Sequence, residues 1–477
     1  MYDFVVIGSG IVGSFAAWEL SKYQLKVALL EKESDLANGQ TIANSGIIHS
    51  GHDPKEDTLK ARLCVRGNEL YRKYQEELSI PLRKTGAFVV AHDEDDLETL
   101  NSLKKRAHYN GVKEAFILSK EEALQEEPNL RDDLVGVLSL PTTMVTFPWE
   151  VCFNLLENAS ANGLEVFLNN EVINIKKVDN YYLIKTNETE FKTKGIINAA
   201  GVFSDEVAKM IETDLPFHII PKRGEYFVLD HSVDGYLKRV LYPLPSKKSK
   251  GVLLTPQTHG NILVGPNAEV ISDKTDVSTT QEGLNFVKNE AMKQAKNIPF
   301  DANIRTFAGV RASSNYEDFY LKESLSNPKV YHLGGVDSPG LTAAPAIAEY
   351  LIKMIAGKYP LIKKTNYQKF IKKSKPFKEL TTKEKSELIN RKPLHGNIIC
   401  KCEMVTEQEI IASINSPVGS DTIKGIKKRT RAGAGVCQGG YCESLVLKII
   451  AREKHKKMTE INYYEKGTPI LKKETKE

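Results

Sequence analysis

Four of the six cysteines crowd the end of the chain as Cys400-x-Cys402, then 34 residues, then Cys437-x4-Cys442. Four thiolates drawn from two loops suit either a [2Fe-2S] cluster or a zinc ion. Zinc sites usually show C-x-x-C in both halves and neither half has it, so the spacing leans to the cluster with zinc as the alternative. Cys64 and Cys152 stand alone in apolar-periodic stretches and read as core. Two more side chains could do chemistry. His49, in Asn44-Ser-Gly-Ile-Ile-His-Ser-Gly51, titrates near neutrality and is a natural base for a hydroxyl proton, against the plainer reading of a packed loop histidine. Arg311, after Phe307-Ala-Gly-Val310, carries a fork that fits phosphate or carboxylate, against the plainer reading of a surface arginine. Lys250, in Ser246-Lys-Lys-Ser-Lys250, is a further cation that either faces an anionic substrate or belongs to a solvated loop.

The elements that must position these groups begin at the N-terminus. Phe4 to Ile7 is a short apolar run, as a strand buried on both faces of a parallel sheet should be, and it stops at Gly8-Ser-Gly10-Ile-Val-Gly13. Gly8 permits the tight turn, Gly10 lets backbone N–H groups approach a pyrophosphate, and Gly13 lets the following helix pack close to the strand. A second strand ends at Glu31, placed to accept from a ribose hydroxyl, so strand, helix, strand and acid together predict dinucleotide binding. The small, polar run 38–51 reads as a loop passing close to that ligand, with Ser45 in it. Helices are predicted over 58–78, 93–110 and 148–162, with capping boxes at Ser119 and Thr381. Gly195-Ile-Ile-Asn-Ala-Ala-Gly201 is a strand ending in small residues, followed by Ser204-Asp205 as a helix cap. Residues 216–310 alternate as antiparallel strands should. Val330 to Gly335 leads into a helix start at Gly340-Leu-Thr342, a second positive helix end that suits the electron-rich edge of a reduced flavin better than a nicotinamide.

Composition bounds the rest. A chain of 477 residues with 41% hydrophobic and 27% charged content has room for two or three domains. No segment approaches about eighteen consecutive apolar residues and the first strand starts without a basic, apolar leader, which predicts a cytoplasmic protein. The net charge is only +5, with lysines concentrated in 363–392 and in the last 27 residues. These runs read as solvated faces or tails rather than as a nucleic-acid site, and an anionic partner surface or membrane face suits them better.

Residues 1–360 resemble the FAD-dependent oxidoreductases of the D-amino-acid oxidase class in GSGIVG, NSGIIHSG, NAAGVFSD, PKRGEYFVLD, KGVLLTPQTHGNILVGPNAE, FAGVRAS and LGGVDSPGLTAAP. Within it they are most similar to flavin-dependent glycerol-3-phosphate dehydrogenases and oxidases, with L-2-hydroxyglutarate oxidases close behind. Residues 396–445 resemble the bacterioferritin-associated-ferredoxin type of [2Fe-2S] domain. The resemblance implies an α/β fold: an FAD-binding Rossmann-like domain with an inserted antiparallel-sheet substrate domain, plus a small helical C-terminal cluster domain. It divides the chain into an FAD domain at 1–83, 145–215 and 305–360, and a substrate domain at 84–144 and 216–304. A basic linker at 361–395, the cluster domain at 396–450 and a basic tail at 451–477 follow. It implies FAD held by Gly8, Gly10, Gly13, Glu31, Lys32, Ser45, Val172, Gly201, Gly340, Leu341 and Thr342. A substrate site is implied at His49, Lys250 and Arg311, and cluster ligands at Cys400, Cys402, Cys437 and Cys442. The expected activity is oxidation of glycerol 3-phosphate, with electrons leaving through the cluster to a redox partner, through which any membrane association would run. A 2-hydroxy acid or amino acid dehydrogenase is the rival enzyme, and an electron-transfer subunit with an idle substrate lobe is the rival of another class.

Overall fold

Phe4–Ile7 is buried at all four positions because it lies inside a six-stranded sheet ordered Tyr320–Glu323, Val330–Gly334, Ile196–Asn198, Phe4–Ile7, Val27–Leu30, Glu165–Phe167. In this computed structural model, which describes residues 1–215, 217–245, 251–370 and 373–473, every pairing in that sheet is parallel except the outermost, where Tyr320–Glu323 runs against Val330–Gly334. Coverage on both faces explains the continuous apolar runs of these strands. From Phe4–Ile7 the chain first builds toward Val27–Leu30 and much later adds Ile196–Asn198 on the other side. The order therefore reverses beside Ile7, and a crevice for a ligand opens at the carboxyl ends there.

Helices Ile11–Ser21, Leu59–Tyr74, Pro148–Ala161 and Gly340–Ala356 share the largest core, with Phe15, Trp18, Tyr71, Leu155 and Ile347 fully buried. Phe15 meets Tyr71 edge to face at 5.7 Å between centroids, and the Trp18 indole N–H donates to Asn158 Oδ1 at 2.9 Å. Gly67 lets two of these helices touch, since a Cβ there would run into the Thr342 carbonyl oxygen.

The second large sheet joins two separated stretches of chain. Its order is Glu269–Val270, Ile219–Leu229, Ile262–Gly265, Leu253–Pro256, Val240–Pro243, Ala87–Ala91, Gly136–Ser139, Phe116–Ser119, and Asn303–Ser314 also pairs with Ile219–Leu229. It departs from a purely antiparallel expectation at one point, where Val240–Pro243 runs parallel to Ala87–Ala91. The two strands come from different excursions of the chain, so no hairpin dictates their sense. A smaller antiparallel meander, Val172–Val178, Tyr181–Thr186 and Glu190–Thr193, lies apart from both sheets.

The C-terminal module holds helices Glu407–Ile414, Ile423–Thr430 and Glu443–Lys454 around Ile410, Ile423, Ile426 and Ile450, and adds a short antiparallel pair, Ile398–Cys400 with Val405–Thr406. The two lysine-rich stretches are largely exposed, as their composition suggests, but are pinned at single points. In the basic linker the amides of Asn158 and Asn162 both donate to the Gln368 carbonyl, at 2.9 and 3.0 Å. In the tail Ile461 is buried and the amides of Ile423 and Lys424 donate to the carbonyls of Asn462 and Tyr463. Composition reads the lysines correctly as polar but misses that the apolar residues between them find a surface.

Candidate functional site

Gly8 has φ +101°, and a Cβ on it would sit 2.6 Å from the Ala199 carbonyl oxygen, so only glycine makes this turn. The helix that follows starts at Ile11 with no side-chain cap from Gly10, leaving its first amides directed at the crevice, although the Ile11 amide is taken by Thr41 Oγ1 at 2.9 Å. Gly13 does not face the crevice: a Cβ there would strike the Gly8 carbonyl oxygen, so its part is close packing of helix on turn. Glu31 is buried, and its carboxylate accepts from the Ser9 amide at 2.9 Å, the Ser9 hydroxyl at 2.5 Å and the Glu33 amide at 3.0 Å. It braces the glycine turn as well as facing the ligand space, a double duty the motif does not reveal. Ser204-Asp205 is not a helix cap; Asp205 instead accepts from the Ile219 amide at 2.9 Å and pairs with Lys274 at 2.6 Å.

One cavity of about 1150 Å³ runs between the two large sheets and is lined by Gly8, Gly10, Glu31, Lys32, Ser45, His49, Val172, Gly201, Arg311, Gly340 and Leu341. Thr342 lies behind the wall, fully buried, where its hydroxyl accepts the His49 amide at 2.9 Å. Lys250 lies outside the described residues, and Gly251 beside it lines the cavity.

His49 is fixed from three elements. Its amide is held by Thr342, and its carbonyl accepts from Asn68 Nδ2 at 3.1 Å. Its ring Nδ1 lies 3.0 Å from the Tyr242 hydroxyl. Burial raises the Tyr242 phenol well above its ordinary value, so the hydroxyl stays neutral throughout the working range. The neutral hydroxyl thus holds the plane of the imidazole from one side. Sequence gives no sign of this partner, because nothing sets Tyr242 apart among 19 tyrosines. Tyr242→Phe should keep FAD bound and lower the rate of flavin reduction about tenfold, the scale of one lost hydrogen bond to the base, as read by stopped-flow absorbance.

Arg311 lies on Asn303–Ser314 opposite Lys222, and one guanidinium nitrogen donates to the Asn267 carbonyl at 3.0 Å. Gly224 gives it room, since a Cβ at that position would collide with the guanidinium. The tethered fork still lines the cavity and offers its remaining donors to an anion.

Among the four C-terminal thiols Cys402 and Cys437 stand 3.8 Å apart, and Cys400 and Cys442 lie buried beside them in the same module. Four thiolates are the donor set for two irons, each taking two, so these side chains would hold a [2Fe-2S] cluster. This module closes one side of the same cavity, lined there by Lys424, Lys427, Arg431, Ala434 and Gln438. Its anchor is Asp35, which pairs with Lys428 and Arg429 at 2.7 Å each, all three nearly excluded from water. Trp149 Nε1 adds a bond to the Lys428 carbonyl at 3.2 Å, and Arg431 reaches Asn261 Oδ1 at 3.2 Å. Burial works to raise the Asp35 carboxyl, but the two cations overturn it and hold it below the usual carboxylate range. Burial also pushes the Lys428 ammonium down to about 8, leaving it charged at neutral pH. Asp35→Asn strands two buried cations and should weaken docking of the module by about 3 to 5 kcal/mol, visible as an earlier unfolding step in calorimetry. Because the folded carboxyl is depressed, its contribution is present above pH about 4, the unfolded value, and is lost as pH falls through the lower folded one.

Comparison with known proteins agrees with this geometry. Residues 3–354 match the family model for FAD dependent oxidoreductases (DAO). The chain belongs to this family. Residues 398–452 match the BFD-like [2Fe-2S] binding domain. The protein is an FAD-dependent oxidoreductase carrying FAD and a [2Fe-2S] cluster. It is 43% identical, over 100% of its own length and 99% of the relative's, to a glycerol 3-phosphate dehydrogenase of Caloramator mitchellensis. It is 33% identical to a glycerol 3-phosphate oxidase of Mycoplasma genitalium over 76% of this chain and 97% of that one. The solved L-alpha-glycerophosphate oxidase of Mycoplasma pneumoniae, with FAD bound, superposes with a TM-score of 0.74 at 32% identity, covering 78% of this chain and 99% of that one. Among the described residues no helix is long and apolar enough to cross a membrane.

Proposed function

We propose that the protein oxidises sn-glycerol 3-phosphate to dihydroxyacetone phosphate and passes the electrons, through the cluster, to a partner. FAD supplies the hydride acceptor and the cluster a one-electron outlet. The chain's own residues do the remainder. His49 takes the secondary hydroxyl proton while Tyr242 holds the ring. Arg311, fixed by Asn267, grips the phosphate and sets the carbinol carbon against the cofactor. The glycine turn and the positive end of Gly340–Ala356 hold FAD, and Cys400, Cys402, Cys437 and Cys442 hold the cluster. Four cysteines gathered as a ligand set rather than spread as disulfide partners suit a reducing compartment such as the cytoplasm.

The observation that carries the relay is the shared wall: Ala434 and Gln438 of the cluster loop line the cavity that Gly8, His49 and Arg311 also line. It makes a dehydrogenase a better reading than an oxidase. The identity of the substrate rests on Arg311 and on the likeness to glycerol 3-phosphate enzymes. A substrate panel with an artificial acceptor tests it, with glycerol 3-phosphate expected to outrun L-2-hydroxyglutarate and amino acids. Arg311→Lys keeps the charge but loses the planar fork, and should raise the KM for glycerol 3-phosphate by a factor that corresponds to about 1.5 to 3 kcal/mol. Equal turnover of a carboxylate substrate would move the protein to the 2-hydroxy acid branch.

A further inference from the structure

The loop carrying Cys437 has two sides. Ala434 and Gln438 turn toward the cavity, whereas Val436, beside Cys437, is 66% exposed and Tyr441, beside Cys442, is 85% exposed. Helix Glu443–Lys454 buries Val446, Leu447 and Ile450 and leaves Leu445 and Lys448 outside, at helical spacing from Tyr441. Met404, two residues after Cys402, is exposed as well and has φ +52°, an uncommon backbone state for so large an apolar side chain. Cys402 and Cys437 are the half-exposed pair of thiols, while Cys400 and Cys442 are buried. The exposed apolar residues thus flank cluster cysteines along the chain, Met404 near Cys402, Val436 beside Cys437 and Tyr441 beside Cys442.

The charges around them have one sign. Nearby carboxylates are turned inward or already paired: Glu403 to Arg431 and Lys378, Glu407 to Arg452, and Glu443 toward Gly439 and Tyr463. Lys401 and Lys448 are exposed and form no ion pair among the described residues. An apolar centre with a positive rim calls for an acidic rim opposite it. A second copy of this chain would bring the same lysines face to face in a two-fold contact, which charge disfavours.

We propose that this outer face, Met404, Val436, Tyr441 and Leu445 with Lys401 and Lys448, docks a small acidic one-electron carrier protein. The proposal rests on the relay reading above and locates its exit. Each encounter moves one electron from the reduced cluster to the carrier's oxidised centre with no bond made or broken. Two encounters therefore clear the electron pair of one substrate, whose two protons go to solvent.

The test uses the full-length holoenzyme reduced photochemically, so that it stands whether or not the substrate assignment does. The reduced enzyme is mixed with an acidic rubredoxin and, separately, with basic cytochrome c. Rubredoxin should be reduced faster at low salt, and its rate should fall about tenfold or more as ionic strength rises. Leu445→Glu and Lys448→Glu should each slow rubredoxin reduction about tenfold, while the cluster's absorbance and the reduction of a small dye stay at wild-type values. Faster reduction of cytochrome c, wild-type rubredoxin rates in both variants, or loss of a dimer or of binding to anionic vesicles in them would overturn the proposal. Failure of glycerol 3-phosphate to reduce the flavin would count against the proposed function alone.

Discussion

His49→Ala will retain FAD and bind glycerol 3-phosphate, yet reduce its flavin about a hundredfold or more slowly than wild type, the usual scale for losing a general base. The expectation follows from how the side chain is held. Thr342 and Asn68 fix its backbone and Tyr242 fixes one ring nitrogen, so the imidazole is oriented before substrate arrives. Thr342 and Asn68 bond the backbone, which alanine keeps, and of the three partners only Tyr242 loses its contact. Loss of rate without loss of flavin therefore separates a base from a packing residue. Reduction should also slow in the wild type as pH falls through a histidine-like value, because the protonated ring cannot accept, and the alanine variant should lack that limb. Near-normal rates with the acid limb intact would place the base elsewhere.

Cys402→Ser or Cys437→Ser will abolish the cluster and with it all turnover through the natural acceptor, while flavin reduction by substrate stays near the wild-type rate. The two functions separate because the thiols belong to a module with its own core of Ile410, Ile423, Ile426 and Ile450, anchored to the rest through Asp35 and Trp149 rather than through the cysteines. Cys402 and Cys437 are the better targets than Cys400 and Cys442, which are buried in that core and whose replacement would also disturb packing. Iron content, visible absorbance and acceptor-linked activity report the outcome. Wild-type acceptor activity in an iron-free variant would remove the cluster from the electron route.

Much of this is legible in the sequence, and for a physical reason. A strand buried on both faces, a glycine turn and an acid at fixed distance leave few geometries open, so Phe4–Ile7, Gly8 and Glu31 announce the crevice from sequence alone. Cysteines at C-x-C and C-x4-C spacing are similarly explicit, because metal donors have little other use in such a pattern. What sequence hides are partners set by tertiary contact. Tyr242 reads as one more strand tyrosine, and Asp35 as a loop acid. Their roles exist only because a distant strand and a helix some 390 residues further on are brought against them. Gly13 does what the motif gives it, close packing of the helix, whereas nothing in the sequence shows that the Thr342 hydroxyl holds the histidine backbone. The lysine-rich segments are exposed as composition suggests, and what it does not show is that Phe377 and Ile461 pin them.

The most direct test of the whole account is anaerobic rapid mixing of the holoenzyme with glycerol 3-phosphate, following flavin absorbance and, in frozen samples, the electron paramagnetic resonance of the cluster. Flavin bleaching followed by a reduced [2Fe-2S] signal within the turnover time is the predicted result. A flavin that stays oxidised with glycerol 3-phosphate but bleaches with a 2-hydroxy acid, or a cluster that stays oxidised beside a fully reduced flavin, would contradict it.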